Sequence, residues 1–257
     1  MKQIFSKVFV LLIVLLGLWS CKQNPSVGND LKASQILIDT TLATSDSINA
    51  FIEPYRSHLN SVLDAPLCYA TDHITKTEGK WNTPLGNLMA DLMRERAGAV
   101  LQTRENIKVD LALHNFGGMR TAIAKGDVTE RTAFEVMPFE NKLVVAGISG
   151  KGIKKMVDFL IGSTRPHPIS GMQIILDSKG AVKSLSIDGE PVEDERIYYV
   201  ATSDYLVGGG DRMRFFQEKV SVYDTGYKIR NAMIDYFKAA DTLRPQIDNR
   251  FIQLDSL

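Results

Sequence analysis

Apolar residues divide the chain into one short N-terminal apolar segment and a long remainder with short, alternating patterns. Residues 8–18 form an uncharged apolar run, and no later run approaches the length needed to span a bilayer. In the remainder, strand-like and helix-like patterns alternate irregularly. This order predicts an α/β fold with α+β-like character, in which mixed sheets are covered by helices.

Helical spacing of apolar side chains predicts four helices. The first contains five apolar positions, at Ile48, Ile52, Tyr55, Leu59 and Val62. Pro54 within it must either kink the helix or mark its first turn. In the second helix, Thr83 can cap the start, Pro84 suits the first position and Gly98 is expected to end it. Two further helices are predicted over residues 151–160 and 226–240.

Period-two or continuous apolar patterns predict seven short strands. They cover residues 36–38, 109–113, 143–148, 172–176, 182–187, 197–201 and 250–254. Two of these strands run into glycine-rich segments, at residues 115–120 and 204–211. A third glycine cluster, residues 147–152, has the order G-x-x-G-x-G and lacks the spacing of a phosphate or dinucleotide loop. We interpret it as a strand-to-helix turn.

The N-terminal segment has the features of a bacterial lipoprotein signal. Lys2 and Lys7 precede the apolar run, and Ser20 stands before Cys21 at its end. We expect a signal peptide over residues 1–20, lipidation of Cys21, a tether over residues 21–32 and a folded domain over residues 33–257. Lipid chains on Cys21 would anchor the protein to a membrane of the cell envelope, facing the periplasm or the exterior. An ordinary signal peptide with an incidental cysteine is the alternative.

Charge and cysteine content narrow the classes of partner. The chain has 30 basic and 30 acidic residues, and removing Lys2 and Lys7 with the signal leaves 28 basic residues and a net charge of −2. No basic stripe indicates nucleic-acid binding. With Cys21 committed to lipid, Cys68 has no intrachain partner, so we expect a small buried hydrophobe and no disulfide.

The two glycine-rich segments that follow strands are candidate ligand contacts. In the first, Gly117 and Gly118 permit a close approach of the backbone, with Asn115 and Arg120 as directional donors; a tight turn alone would explain the glycines equally well. In the second, residues 208–210 are three consecutive glycines, which are costly in chain entropy. A ligand pressed against the backbone explains that cost better than a turn.

Five short motifs carry a family resemblance. They are residues 83–88 (TPLGNL), 115–120 (NFGGMR), 137–139 (MPF), 170–171 (SG) and 204–211 (DYLVGGGD). In this order and spacing they resemble the C-terminal domain of 5'-nucleotidases and UDP-sugar hydrolases. The resemblance covers residues 36–254 and implies a 5'-nucleotidase C-terminal domain-like fold.

The resemblance implies a substrate-binding site for the nucleoside or nucleotide. Two rings would sandwich the base, and polar side chains would bind the base edge, the ribose and the phosphate side. Carried over by motif, the rings are Phe139 and Tyr205, the polar residues are Asn115, Asp211 and Arg120, and the backbone contacts are Gly117 and Gly118. Lys80 stands where the family often has an arginine, and lysine cannot make the planar two-point contact. Stacking on each ring contributes about 1–3 kcal/mol and tolerates different bases.

Catalytic residues are not expected in this chain. The family hydrolyses phosphate esters with two metal ions in a separate metallophosphoesterase domain. Here four histidines are present, Asp72-His73 is the closest approach to a metal motif, and no G-x-S-x-G elbow occurs. We therefore expect no cofactor on this chain and divalent metals on a partner. Three functions stay open: half of a split 5'-nucleotidase in nucleotide catabolism, a nucleoside- or nucleotide-binding lipoprotein without a hydrolase partner, and a self-sufficient hydrolase with an unrecognised site.

Overall fold

The computed structural model describes residues 33–255. The predicted signal peptide, Cys21 and the whole of the predicted tether, residues 21–32, lie outside the described residues. The chain forms two units, divided after Phe51. In the first unit, residues 36–38 have no regular structure, and their side chains are 80, 77 and 84% exposed. The strand predicted there is wrong, because three apolar residues are too few to specify a strand without a pairing partner.

The described residues form six helices and three short 3-10 turns. The helices are α1 (Asp46–Leu63), α2 (Pro84–Glu105), α3 (Glu130–Val136), α4 (Gly150–Gly162), α5 (Asp204–Val207) and α6 (Ile229–Ala239). The 3-10 turns are Phe116–Gly118, Gly210–Arg212 and Arg214–Glu218. Within residues 33–255, no helix combines the length and the apolar character needed to cross a membrane.

The first two predicted helices are confirmed, with corrections. Pro54 lies inside α1, and no residue of α1 is buried, so its apolar spacing does not form a core stripe. Thr83 caps α2, where its Oγ1 accepts the Gly86 N–H at 3.0 Å. Gly98 does not end α2, which continues to Asn106, a cap with φ 53°. A helix can absorb the cost of about 1 kcal/mol for an interior glycine, and asparagine tolerates the left-handed cap.

Twelve strands form three mixed sheets across the described residues. The strands are β1 (Pro66–Ala70), β2 (Leu111–Leu113), β3 (Gly126–Thr129), β4 (Lys142–Ser149), β5 (Ile169–Ser170), β6 (Met172–Leu176), β7 (Val182–Ile187), β8 (Glu190–Pro191), β9 (Ile197–Ser203), β10 (Ser221–Lys228), β11 (Thr242–Leu243) and β12 (Phe251–Gln253). The sheet orders are β11-β1-β3, β10-β4-β9-β2-β5 and β12-β6-β7-β8. Parallel and antiparallel pairs occur in each of the first two sheets. The predicted α/β class with mixed sheets is confirmed.

The predicted helix over residues 226–240 begins too early. Residues up to Lys228 belong to β10, and α6 starts at Ile229. The pairing of β10 with β4 shifts its register between Asp224 and Tyr227, where Gly226 has φ 71°. A bulge of this kind breaks the period of two along the strand, which is why the sequence pattern did not reveal β10.

Helices cover both faces of the five-stranded sheet. Side chains of β4 alternate between two apolar clusters, because successive residues of a strand point to opposite faces. Val145 packs in the cluster with Met89 of α2 and Phe237 of α6. Val144 packs in the cluster with Ile153 of α4. Both clusters consist of buried apolar side chains, so we expect the polar chemistry of this sheet at the ends of its strands.

Candidate functional site

Three loops meet at one edge of the five-stranded sheet. β2 and β9 are parallel neighbours, so their carboxyl ends lie at the same edge. β4 is antiparallel to β9, and Leu143 at the start of β4 pairs with Ser203 at the end of β9. The loop after β2, the segment before β4 and the segment after β9 are therefore adjacent in space. They carry the glycine-rich and aromatic motifs identified in the sequence.

A cavity of about 340 Å³ lies between these loops. Its lining residues are His114, Asn115, Gly117, Gly118, Arg120, Met137, Phe139, Asn141, Ser203, Tyr205 and Asp211. Seven of the eight substrate-binding residues predicted from the sequence are therefore brought together. Lys80 is the exception.

Lys80 lies against a different sheet. Its Nζ donates to Gln253 Oε1 at 2.9 Å and sits 4.8 Å from the centre of the Trp81 ring. Trp81 in turn stacks on Phe251 at 4.6 Å between ring centres. This stacking docks the segment before α2 onto β12, which holds Lys80 apart from the cavity.

A hydrogen-bonded network of Tyr205, Asp211 and Asn115 forms one wall of the cavity. The Tyr205 hydroxyl donates to Asp211 Oδ1 at 3.0 Å, and Asn115 Nδ2 donates to Asp211 Oδ2 at 2.6 Å. The backbone N–H of Asp211 donates back to the Tyr205 hydroxyl at 3.2 Å. A carboxylate has about four lone-pair positions, so each Asp211 oxygen retains the capacity to accept a further hydroxyl.

The backbone beside this network adopts left-handed conformations. Asp211 has φ 51°, Arg212 has φ 63° and Gly209 has φ 94°. Two successive non-glycine residues in this region are uncommon, and such conformations cluster at ligand sites. At Gly210 a Cβ would lie 2.5 Å from Cε1 of Tyr205. The close approach that requires glycine at this position is therefore made by the Tyr205 ring itself.

Phe139 and Tyr205 are partly exposed rings at the cavity. Their exposed fractions are 41% and 48%, so neither is a core aromatic. Phe139 lies in the irregular segment between α3 and β4, and Tyr205 lies in the short helix α5. The Arg120 guanidinium carbon is 5.9 Å from the centre of the Phe139 ring. An exposed ring at a cavity rim is available for stacking.

Two buried histidines underlie the loop after β2. A Cβ on Gly118 would lie 2.3 Å from His114 Nε2, so glycine is needed there. Burial lowers the pKa of His114 to about 4, with His167 adding to the shift and Asp211 opposing it. His167, predicted as a loop residue, is in a loop but buried, and its Nδ1 accepts the Phe116 N–H at 3.2 Å. Burial also lowers its pKa, so both imidazoles are neutral near pH 7.

Three cations, Lys76, Arg120 and Arg165, lie at the loop after β2, and of these Arg120 lines the cavity. Lys76 Nζ lies 4.4 Å from the centre of the Phe116 ring, and the Arg165 guanidinium carbon lies 5.5 Å from it. Burial, and then repulsion from Arg120 and Arg165, lower the pKa of Lys76. Among the described ion pairs, none includes these three residues. A group of like charges with no counter-ion favours an anion.

The sequence missed several residues of the site. His114, Met137, Asn141 and Ser203 line the cavity, and each stands within two residues of a predicted site residue. Their proximity to the motifs was the available signal. Lys76 lies in none of the five motifs, so no signal in the sequence pointed to it.

Residues 33–255 bring together no group of three His, Cys, Asp or Glu side chains that could hold a metal ion. Asp72 and His73 lie apart from the cavity described above, in a groove beside Glu78.

Comparison with known proteins points to one family. The family described as "5'-nucleotidase, C-terminal domain" matches residues 66–218. Protein UshA of Escherichia coli is 23% identical over 83% of this chain, and YfkN of Bacillus subtilis, a trifunctional nucleotide phosphoesterase protein, is 26% identical over 80%. This chain spans 38% and 14% of their lengths. The structure of a 5'-nucleotidase precursor from Thermus thermophilus has the same fold, with a TM-score of 0.66, 24% identity and coverage of 82% of this chain and 43% of that one.

Proposed function

Because the chain belongs to the 5'-nucleotidase C-terminal domain family, we propose that its cavity binds a nucleoside or nucleotide and supplies substrate recognition to a separately encoded metallophosphoesterase in nucleotide catabolism. The observation that carries this proposal is the single cavity lined by Asn115, Gly117, Gly118, Arg120, Phe139, Tyr205 and Asp211. These residues come from three loops that are distant in sequence.

The chemistry of the cavity suits each part of a nucleoside. Exposed rings of Phe139 and Tyr205 offer π-faces to a base. Asp211 is already held by two donors and can accept ribose hydroxyls. Asn115 offers an amide beside it. A pre-organised set of this kind loses little entropy when the ligand binds.

The phosphate side of the ligand would face the cations. Arg120 lines the cavity, and the charges of Arg120 and Arg165 add to burial in lowering the pKa of Lys76. We propose that these residues serve the role that the sequence assigned to Lys80. An anionic group between them would relieve their mutual repulsion.

We propose a metallophosphoesterase partner because this chain matches only part of the length of its relatives. This chain spans less than half of UshA and of the Thermus thermophilus 5'-nucleotidase precursor. Among the described residues no metal-binding group is assembled. We propose that the metals and the hydrolytic step lie on the partner. The alternative, a nucleoside- or nucleotide-binding lipoprotein without a hydrolase partner, would use the same network of Tyr205, Asp211 and Asn115.

The aromatic residues provide the experiment that tests nucleoside binding. We expect Phe139→Ala and Tyr205→Ala each to weaken adenosine binding by about 1–3 kcal/mol, because each removes one stacked face. Titration calorimetry measures the affinity, and matched melting curves show whether the fold is intact. Tyr205→Phe keeps the ring and removes the hydroxyl that donates to Asp211, so it separates the contribution of stacking from that of the hydrogen bond.

Tyr69→Ala is the control for these variants, since Tyr69 is 43% exposed in β1 and does not line the cavity. It should leave adenosine affinity unchanged. Wild-type affinity in both cavity variants would contradict the stacking role.

The lipid anchor is proposed from Cys21 and the preceding residues. We expect Cys21→Ala to release the protein from membranes or to leave it with an uncleaved signal. Cys68→Ala is the control, because Cys68 packs in the core and should not change the lipid content. Membrane fractionation and intact mass distinguish these results. Wild-type mature protein without added lipid mass would contradict the anchor.

A further inference from the structure

The segment that carries Phe139 has no regular structure of its own. Residues 137–141 connect α3 to β4 and contain neither helix nor strand. The Phe139 side chain is 41% exposed. Its position must therefore be set by contacts of the surrounding backbone with other elements.

Arg230 in the first turn of α6 makes those contacts. Its Nη1 donates to the carbonyl of Met137 at 3.4 Å and to the carbonyl of Phe139 at 3.3 Å. Its Nη2 donates to the carboxylate of Glu140. The guanidinium carbon lies 4.1 Å from the centre of the Phe134 ring in α3. One planar group thus bonds three residues of the segment and packs on the preceding helix.

Burial makes these bonds costly to lose. The Arg230 side chain is 7% exposed, whereas Glu140 is 62% exposed. A buried guanidinium needs its partners, because an unpaired buried charge is strongly unfavourable. Two of the partners are backbone carbonyls, which cannot move without moving the segment. Arg230 therefore fixes the backbone on both sides of Pro138.

Neighbouring bonds join the same helix to the same segment. The Ile229 N–H donates to the Asn141 carbonyl at 3.0 Å. Lys228 Nζ donates to Glu140. The Asn141 side chain donates to Asp204 Oδ1 at 3.2 Å, beside Tyr205. All of the residues in 228–230 lie beyond residues 66–218, the range matched by the family.

We propose that Arg230 is a positioning residue, which holds the segment 137–141 so that the Phe139 ring is presented to the cavity before the ligand arrives. The proposal rests on nucleoside binding in this cavity. Stacking gains affinity only after the ring is ordered, and ordering a loop on binding lowers affinity. Arg230 removes that loss in advance, without contact with the ligand.

A double-mutant cycle tests this role. We expect Arg230→Met, which keeps an apolar stem, to raise the Kd for adenosine roughly five- to tenfold. In the Phe139→Ala background the same change should add nothing, because Arg230 acts through that ring. An equal effect of Arg230→Met in both backgrounds would overturn the proposal. If the methionine variant does not fold, Arg230→Lys, which keeps the charge, replaces it in the cycle. Its effect on the Kd should likewise disappear in the Phe139→Ala background.

Arg104→Met is a control for the loss of a guanidinium bond to a backbone carbonyl outside the cavity, at an arginine that is exposed where Arg230 is buried. Arg104 Nη1 donates to the carbonyl of Thr225 at 2.9 Å, which is also a guanidinium bond to backbone but does not involve the cavity. It should lower the melting temperature and leave the Kd unchanged. If Arg104→Met weakened adenosine as much as Arg230→Met, the effect would be general destabilisation.

A measurement without ligand separates this proposal from the proposed function. In a Trp81→Phe, Phe139→Trp variant, position 139 carries the one indole of residues 33–255, and its fluorescence anisotropy reports the order of the segment. We expect adding Arg230→Met to lower that anisotropy at unchanged helix content. Unaltered anisotropy would overturn the positioning role even if adenosine binds. Lowered anisotropy in a protein that binds no adenosine would support the positioning role and contradict nucleoside binding.

Discussion

Purified mature protein is expected to bind adenosine and AMP and to release no phosphate from AMP, UDP-glucose or a chromogenic phosphate ester. We expect this result with Zn²⁺, Mn²⁺, Co²⁺ or Mg²⁺ supplied. Addition of a metallophosphoesterase partner should produce turnover. The expected difference is the largest of our predictions, because enzymes accelerate phosphate-ester hydrolysis by at least about 10⁶-fold.

The reason lies in the distribution of donor side chains. Two-metal hydrolysis requires ions held about 3.5–4 Å apart by several fixed carboxylates and imidazoles. Residues 33–255 assemble no such group. His114 and His167 are buried and neutral beneath the loop after β2, and the nearest carboxylate in the cavity is bonded to Asn115 and Tyr205.

The test compares one cavity variant with two control variants outside the cavity. With the partner present, Phe139→Ala should lower turnover, because binding energy at the nucleoside positions the phosphate at the metals. Asp72→Asn and His73→Ala should have no effect, since their groove is separate from the cavity. Metal-dependent turnover by the isolated chain, surviving repurification and lost in these two variants, would contradict the split-enzyme proposal.

Most of the cavity could be predicted because its residues follow strand ends. The loop at 115–120 and the segment at 204–211 each follow an apolar strand, and glycine-rich motifs identify them in the sequence. The parallel pairing of β2 with β9 then brings them to one edge of the sheet. The order of the motifs in the sequence was sufficient to predict these cavity residues, because their local pattern and their position in the fold agree.

Residues that depend on tertiary packing could not be predicted. Lys76 and Arg165 both lie within 5.5 Å of the centre of the Phe116 ring, although about ninety residues separate them in the chain. Lys80 precedes α2 as the motif requires, but the stacking of Trp81 on Phe251 turns it towards β12. Gly98 shows the same limit for local structure, because packing of α2 overrides a helix-ending residue.

The second large effect is expected for Asp211→Asn. We expect this variant to weaken adenosine binding by about 1.5–3 kcal/mol, the usual contribution of hydrogen bonds to a charged group. The preference for adenosine over 2',3'-dideoxyadenosine should disappear, because the carboxylate that accepts the ribose hydroxyls is gone. Titration calorimetry with both ligands measures the two effects separately.

Asparagine is the informative replacement at this position because it keeps the shape of aspartate and tolerates the left-handed backbone seen at φ 51°. Its amide can no longer accept from both the Tyr205 hydroxyl and Asn115 Nδ2 with a full charge. Asp235→Asn is the control, since Asp235 accepts from the Tyr227 hydroxyl in a similar pair that does not line the cavity. If Asp211→Asn weakened adenosine and 2',3'-dideoxyadenosine equally, and Tyr205→Phe did the same, Asp211 would act only by orienting the Tyr205 ring.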